Sequence, residues 1–194
     1  TPDAIFAHFP GLKVVAPGTP EDAKGLLKAA IRSNDPVMFI EHATLYQFRG
    51  EVPEGDYTIP IGKSKIQRPG RDITLVTYSK MLELSLKAAD QLAKEGIEVE
   101  IVDLRSLRPL DMGPVIESFK KTNRALVVEE GWPSYGVGSE IVTRIYEQAF
   151  DFVDAPIKRI AQKEVPLPYN RMLEQSAIPQ VDDIVKGVKE VLNG

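Results

Sequence analysis

A chain of 194 residues, 43% hydrophobic and 27% charged, has the length for a real core in one or two domains and the balance of a soluble globular protein. Its net charge of -4 argues against nucleic acid or an anionic membrane as partner, since no basic patch is present to neutralise phosphates. The lack of cysteine excludes disulfides and zinc–thiolate sites, and no apolar run approaches the ~20 residues that span a bilayer.

The chain opens on Thr1 rather than Met, with Ile5, Phe6 and Phe9 at helical spacing and nothing before them to pack on, which reads as a piece of a longer polypeptide. A short helix is expected over 3–9, stopped by Pro10 and Gly11. A strand over 12–16 follows, closed by Pro17 and Gly18. Thr19 then caps a helix with Pro20 at its first position and Glu21 and Asp22 in its first turn. Its apolar stripe is Ala23, Leu26, Leu27, Ala30 and Ile31. A buried strand over 37–40 completes a βαβ unit that lacks a sheet to join. From 41 to 60 the periodicity fails among Gly50, Pro53, Gly55 and Pro60, which marks a domain connection.

The second region repeats the α/β theme. An edge strand is expected over 61–67 and a turn over 68–71, then a strand over 73–78. The next helix carries Leu82, Leu86, Ala89 and Ala93 and ends at Gly96. A strand over 99–104 comes next, and Asp111 is placed to cap a helix running to about Lys121. Residues 125–128 form a continuous apolar run suited to a strand covered on both faces. Gly131, Pro133, Gly136 and Gly138 break it, and a helix starts near Val137. A further strand is expected over 157–161. Pro166, Pro168 and Pro179 mark an irregular crossing before a last helix bearing Val181, Ile184, Val185, Val188, Val191 and Leu192. Each interval between strands leaves room for a helix, so right-handed crossovers and a mostly parallel sheet with flanking helices follow.

The residues alone point to no reaction. His8 lies among Phe6, Phe9 and Pro10, where a packed histidine is expected; His42, beside Glu41 at a strand end, is the better candidate for chemistry. Glu129 and Glu130 are adjacent, so they face opposite sides and cannot flank one bond. A capping or solvated role is expected for each. The stretch 131–138 has the outline of a phosphate cradle at a helix start but matches no nucleotide motif. Trp132 and Tyr135 within it suit a subunit interface better. No G-x-S-x-G elbow occurs.

Four blocks in order, AHFPGLKVVAPGTPEDAKGLLKAAIRSNDPVMFIEH, VDLRSLRPLD, VVEEGWPSYGVGSEI and DAPIKRIAQKEVPLPY, resemble the β subunits of the E1 component of pyruvate dehydrogenases, within the transketolase-like thiamine-diphosphate enzymes. GWP-x-x-GVG and EVPLPY look closer to the pyruvate enzymes than to the branched-chain 2-oxoacid ones. The resemblance implies that residues 1–43 are the tail of a pyrimidine-binding domain, 44–60 a linker and 61–194 a carboxyl-terminal assembly domain. It implies decarboxylation of pyruvate and reductive acetylation of a lipoyl group, with thiamine diphosphate and magnesium bound by the complete heterotetramer. The cofactor-activating glutamate and the active-site histidine of such enzymes would precede Thr1. No catalytic or cofactor-binding residue is therefore assigned here, and the isolated chain is expected to be inactive.

The implied partners are an E1 α subunit, a second β subunit and the subunit-binding domain of the dihydrolipoyl acyltransferase. The last would meet Asp154 of the DAPI segment and the terminal carboxylate on Gly194; the plainer alternative has Asp154 capping the turn before Pro156. A potassium site is implied at Ala30, Ile31, Ser33 and Asp35, where Ser33 and Asp35 depart from the family pattern. The compartment would be the bacterial cytoplasm, the mitochondrial matrix or the plastid stroma. The alternatives are another transketolase-like or branched-chain subunit, and a non-catalytic assembly or binding module.

Overall fold

The structure, a computed structural model, describes residues 2–194. Its first part holds α1 (Asp3–His8), β1 (Lys13–Val15), α2 (Pro20–Ile31), β2 (Val37–Phe39) and a 3₁₀ turn (Ala43–Gln47). The remainder runs β3 (Lys65–Arg68), β4 (Ile73–Thr77), α3 (Lys80–Ala93), β5 (Val99–Asp103), β6 (Ser106–Arg108), α4 (Gly113–Thr122), β7 (Ala125–Val128), α5 (Val137–Ala149), β8 (Lys158–Ile160), α6 (Arg171–Ala177) and α7 (Val181–Leu192).

Five strands form one sheet in the order β3-β5-β4-β7-β8, parallel except for the antiparallel edge strand β3. Every residue of β4, β5 and β7 is buried, and β7 reads as an unbroken apolar run rather than as alternation, as a strand covered on both faces does. Alternate residues serve opposite faces. Val76, Val102 and Val127 pack with Val115, Phe119, Ile141 and Ile145 of α4 and α5, while Leu75, Ile101 and Leu126 pack with Leu92, Ile184 and Val188 of α3 and α7. Hydroxyls pin the first layer at one end, with Thr74 Oγ1 lying 2.6 Å from Ser118 Oγ and 2.7 Å from Thr122 Oγ1.

The front βαβ unit finds its sheet partner later in the chain. β1 pairs parallel with β2 on one side and antiparallel with β6 on the other, so a strand that follows β5 closes the small sheet. Thr19 caps α2 as expected, its Oγ1 accepting from Asp22 N–H at 3.1 Å. The 44–60 stretch folds back on α2 rather than spanning free. Ile59 joins Val15 and Leu26 in a small core, and a Cβ on Gly25 would lie 2.6 Å from Ile59 Cγ1. Tyr57 Oη donates to Glu21 O at 3.0 Å, and Asp56 pairs with Lys28 and Arg32 at 2.7 and 2.8 Å.

Three expectations need correction. The edge strand starts at Lys65 rather than 61, because Gly62 turns the chain at φ +82° and Ser64 is held to Asp111 by two hydrogen bonds. Asp111, so engaged, sits one residue ahead of the cap of α4; Met112 holds that place, while Asp111 Oδ1 still accepts from Gly113 N–H at 3.3 Å. The proline-marked crossing contains α6, which Asn170 starts by accepting from Met172 N–H at 2.9 Å and Leu173 N–H at 3.3 Å. Among the described residues no helix is long and apolar enough to cross a membrane.

Candidate functional site

The groups with chemical potential gather at the carboxyl ends of β1, β2, β4, β5 and β7, where open α/β sheets carry their functional loops. Directly after β7, Glu129 turns into the protein and is 1% exposed. Its Oε2 accepts from Gly138 N–H at 3.0 Å, so a carboxylate of this chain fills the amino terminus of α5. A Cβ on Gly138 would collide with Oε1, and one on Gly136 would lie 2.8 Å from it. The glycines thus make room for Glu129 rather than for a phosphate. Burial raises its carboxyl to about 7, against the opposing pull of the Gly138 N–H and the Arg159 charge. Arg159 also holds the loop, donating to Pro133 O at 2.6 Å and Ser139 Oγ at 2.7 Å.

Glu130 points the other way, as adjacency requires, and meets His42 Nε2 at 2.9 Å. His42 Nδ1 accepts from Thr44 N–H at 3.3 Å, which fixes Nε2 as the protonated nitrogen of the neutral ring. Both nitrogens are therefore committed, and the pair ties the end of β2 to the end of β7. Beside it, Tyr78 Oη donates to Asp3 Oδ2 at 2.6 Å, with both residues buried. Burial and then the Asp3 and Glu129 charges hold the phenol well above its usual range. His8 departs from expectation: it is exposed, edge-on to Phe9 at 5.9 Å, because α1 turns it away from the core.

A second cluster lies where α2 meets the β5–β6 turn. Arg105, at φ +58°, places its Nη2 2.6 Å from Asp22 Oδ1, and Asp22 and Asp103 are both fully buried. Asp103 Oδ1 accepts from Arg105 N–H at 3.1 Å. In the sequence Asp103 is only an acid within an expected strand, and Asp22 only one of two acids in a helix first turn.

At the end of α2, Lys13 Nζ lies 3.1 Å from Ser33 Oγ and 2.8 Å from Asp35 Oδ2. Ala30 O accepts from Ser33 N–H at 3.2 Å. An ammonium already uses both side chains, so these residues fit a monovalent cation only through main-chain carbonyls, including those of Ala30 and Ile31. Among the described residues no group of three or more His, Asp or Glu stands close enough to hold a metal ion. Asp154 is exposed, and its N–H donates to Asn123 O at 3.1 Å; no side-chain cap on the Pro156 turn forms. Gly194 is exposed in a groove with Lys158, Lys186 and Lys189. The glycine-bearing start of α5 is closed to a diphosphate, because the Glu129 carboxylate fills it.

The family description "Transketolase, C-terminal domain" matches residues 62–184. The chain belongs to the transketolase family. The description "Transketolase, pyrimidine binding domain" matches residues 2–49. The chain is 53% identical over 189 residues to a pyruvate dehydrogenase E1 component subunit beta of Rhizobium meliloti, covering 97% of this chain and 41% of that protein. It is 50% identical over 190 residues to the mitochondrial subunit beta-2 of the same component in rice, Oryza sativa subsp. japonica, covering 96% of this chain and 50% of that protein. The chain thus spans about half the length of the curated relatives it matches. The fold is shared with a solved split-gene transketolase, an inactive beta4 tetramer, at TM-score 0.80 and 23% identity, over 98% of this chain and 61% of that one. In this transketolase-family chain β6 falls inside the region matched by the C-terminal-domain description while pairing with β1 of the pyrimidine-domain region.

Proposed function

We propose that the chain serves in the β subunit of a pyruvate dehydrogenase E1 component, where its main work is subunit assembly and docking. The observation that carries this reading is identity of 50 and 53% with two E1 β subunits over nearly the whole chain. The component so read decarboxylates pyruvate with thiamine diphosphate and passes the acetyl group to a lipoyl arm, toward acetyl-CoA. Residues 1–43 belong in this reading to the pyrimidine-binding domain, 44–60 to a linker and 61–194 to the assembly domain. The cofactor and magnesium are held by other parts of the assembled heterotetramer, consistent with an α5 start already filled by Glu129.

The chain's own contribution is surface. Trp132, Tyr135, Leu167, Tyr169, Met172 and Leu173 are large apolar groups left exposed, of types enriched in protein interfaces, and they suit contact with an α subunit or a second β subunit. Asp154 and the Gly194 carboxylate are assigned to the acyltransferase subunit-binding domain; an exposed carboxylate with its backbone anchored is available to an arginine or lysine. A potassium ion, where present, rests on the carbonyls of Ala30, Ile31, Ser33 and Asp35.

The test is turnover by the assembled enzyme containing this β chain, supplied with thiamine diphosphate and magnesium and offered pyruvate or branched-chain 2-oxoacids. Release of CO₂ chiefly from pyruvate is expected. Preference for the branched-chain acids moves the chain to that branch, and no turnover in an assembled tetramer leaves it an assembly module.

A further inference from the structure

Where α2 meets the β5–β6 turn, three carboxylates face two cations. Glu21 pairs with Lys65 at 3.1 Å and Asp22 with Arg105 at 2.6 Å, which leaves Asp103 without a cation of its own. Asp103 is fully buried, and its Oδ2 has no hydrogen-bond partner among the described residues. The neighbouring strands offer no relief. On β3 its register partner is Lys65, already engaged by Glu21; on β4 it is Thr77, whose hydroxyl donates to Val128 O. Arg108 of β6 donates to Ala7 O, and the charged groups of α3 and α4 nearest the sheet pair elsewhere, Lys80 with Glu83 and Lys121 with Glu100. A bare ionised oxygen in such a place costs far more than a neutral acid there.

We propose that Asp103 carries a proton while the joint between α2 and the β5–β6 turn is closed, and that its loss loosens that joint. Burial, followed by the negative charge of Asp22, pushes Asp103 up to about 7. Once ionised, Asp103 and Asp22 become like charges around one guanidinium, with the Arg105 backbone held at φ +58°. The joint connects the stretch matched by the pyrimidine-domain description to the one matched by the C-terminal-domain description. Their contact would therefore respond to proton concentration.

The sign follows from linkage. A carboxyl whose folded pKa lies above its unfolded one stabilises the closed joint fully below the unfolded pKa, and that stability is lost as pH rises through the folded pKa. Amide-exchange protection of α2, corrected for intrinsic exchange, should fall by up to about tenfold per pH unit between about pH 4 and 7 and then level off.

The experiment uses the full chain. In ¹³C-carboxyl spectra the Asp103 resonance, assigned by its absence in Asp103→Asn, should titrate near 7, and the Asn variant should flatten the α2 exchange profile. An Asp103 midpoint near 4, or an Asn variant that keeps the wild-type pH profile, overturns the proposal. Should the variant not fold, sequential assignment of the wild-type resonance and its midpoint alone decide the matter.

Discussion

Glu129 and Gly138 lock the centre of the larger sheet to the helix that follows: Glu129 Oε2 accepts the Gly138 N–H at 3.0 Å, and Oε1 occupies the space where a Gly138 side chain would begin. Gly138→Ala should therefore force either the carboxylate or the first turn of α5 to move. A loss of about 1–3 kcal/mol is expected, the range for overpacking a filled interior. Urea unfolding of wild type and variant, compared at equal m-value, reads it directly.

The same glutamate predicts a pH dependence. Burial raises its folded pKa to about 7, above the ordinary 4.5. The contribution is complete below about pH 4.5 and is lost as pH rises through 7, at no more than ~1.4 kcal/mol per pH unit. Wild type should therefore lose thermal stability between pH 5 and 7 more steeply than Glu129→Gln. An identical slope in the two proteins would assign the dependence to other groups.

Thr19 offers a local test of the front unit. Its hydroxyl accepts from Asp22 N–H at 3.1 Å and donates to Asp22 Oδ2 at 2.6 Å, so it both caps α2 and orients the carboxylate that meets Arg105. Thr19→Ala should cost about 1 kcal/mol from the cap alone. A larger loss, measured by chemical denaturation, would show that the Asp22–Arg105 pair is disturbed as well; Thr19→Ser should restore most of it.

Docking can be read as an affinity. If Asp154 meets a basic residue of the acyltransferase subunit-binding domain and the pair is buried, Asp154→Ala should weaken binding by roughly 2–5 kcal/mol, mainly through faster dissociation. The titration uses the assembled E1 component at two salt concentrations. Unchanged affinity at both would leave Asp154 a surface residue.

Much of the fold was legible because it is local. The apolar run of β7 reported a strand covered on both faces, and Thr19-Pro20 and Gly96 reported helix ends. What escaped was pairing at a distance. Nothing in Ser106–Arg108 announces that it will complete the sheet of Lys13–Val15, and α6 hides between prolines because its start depends on the Asn170 side chain. The site was legible only in part. Adjacent Glu129 and Glu130 had to diverge, and they do, but the partners Gly138 and His42 lie 9 and 88 residues away. The Asp22–Arg105–Asp103 cluster was invisible for the same reason: each residue looks ordinary until the turn after β5 is laid on α2.

In the proposed reading the chain contributes assembly surfaces and leaves the cofactor to the rest of the heterotetramer. Calorimetric titration of the chain alone with thiamine diphosphate and magnesium reads this. No saturable heat is expected, because the start of α5 is filled by the chain's own Glu129 carboxylate. A one-to-one isotherm with a dissociation constant on the order of micromolar, about -8 kcal/mol of binding free energy, would contradict it.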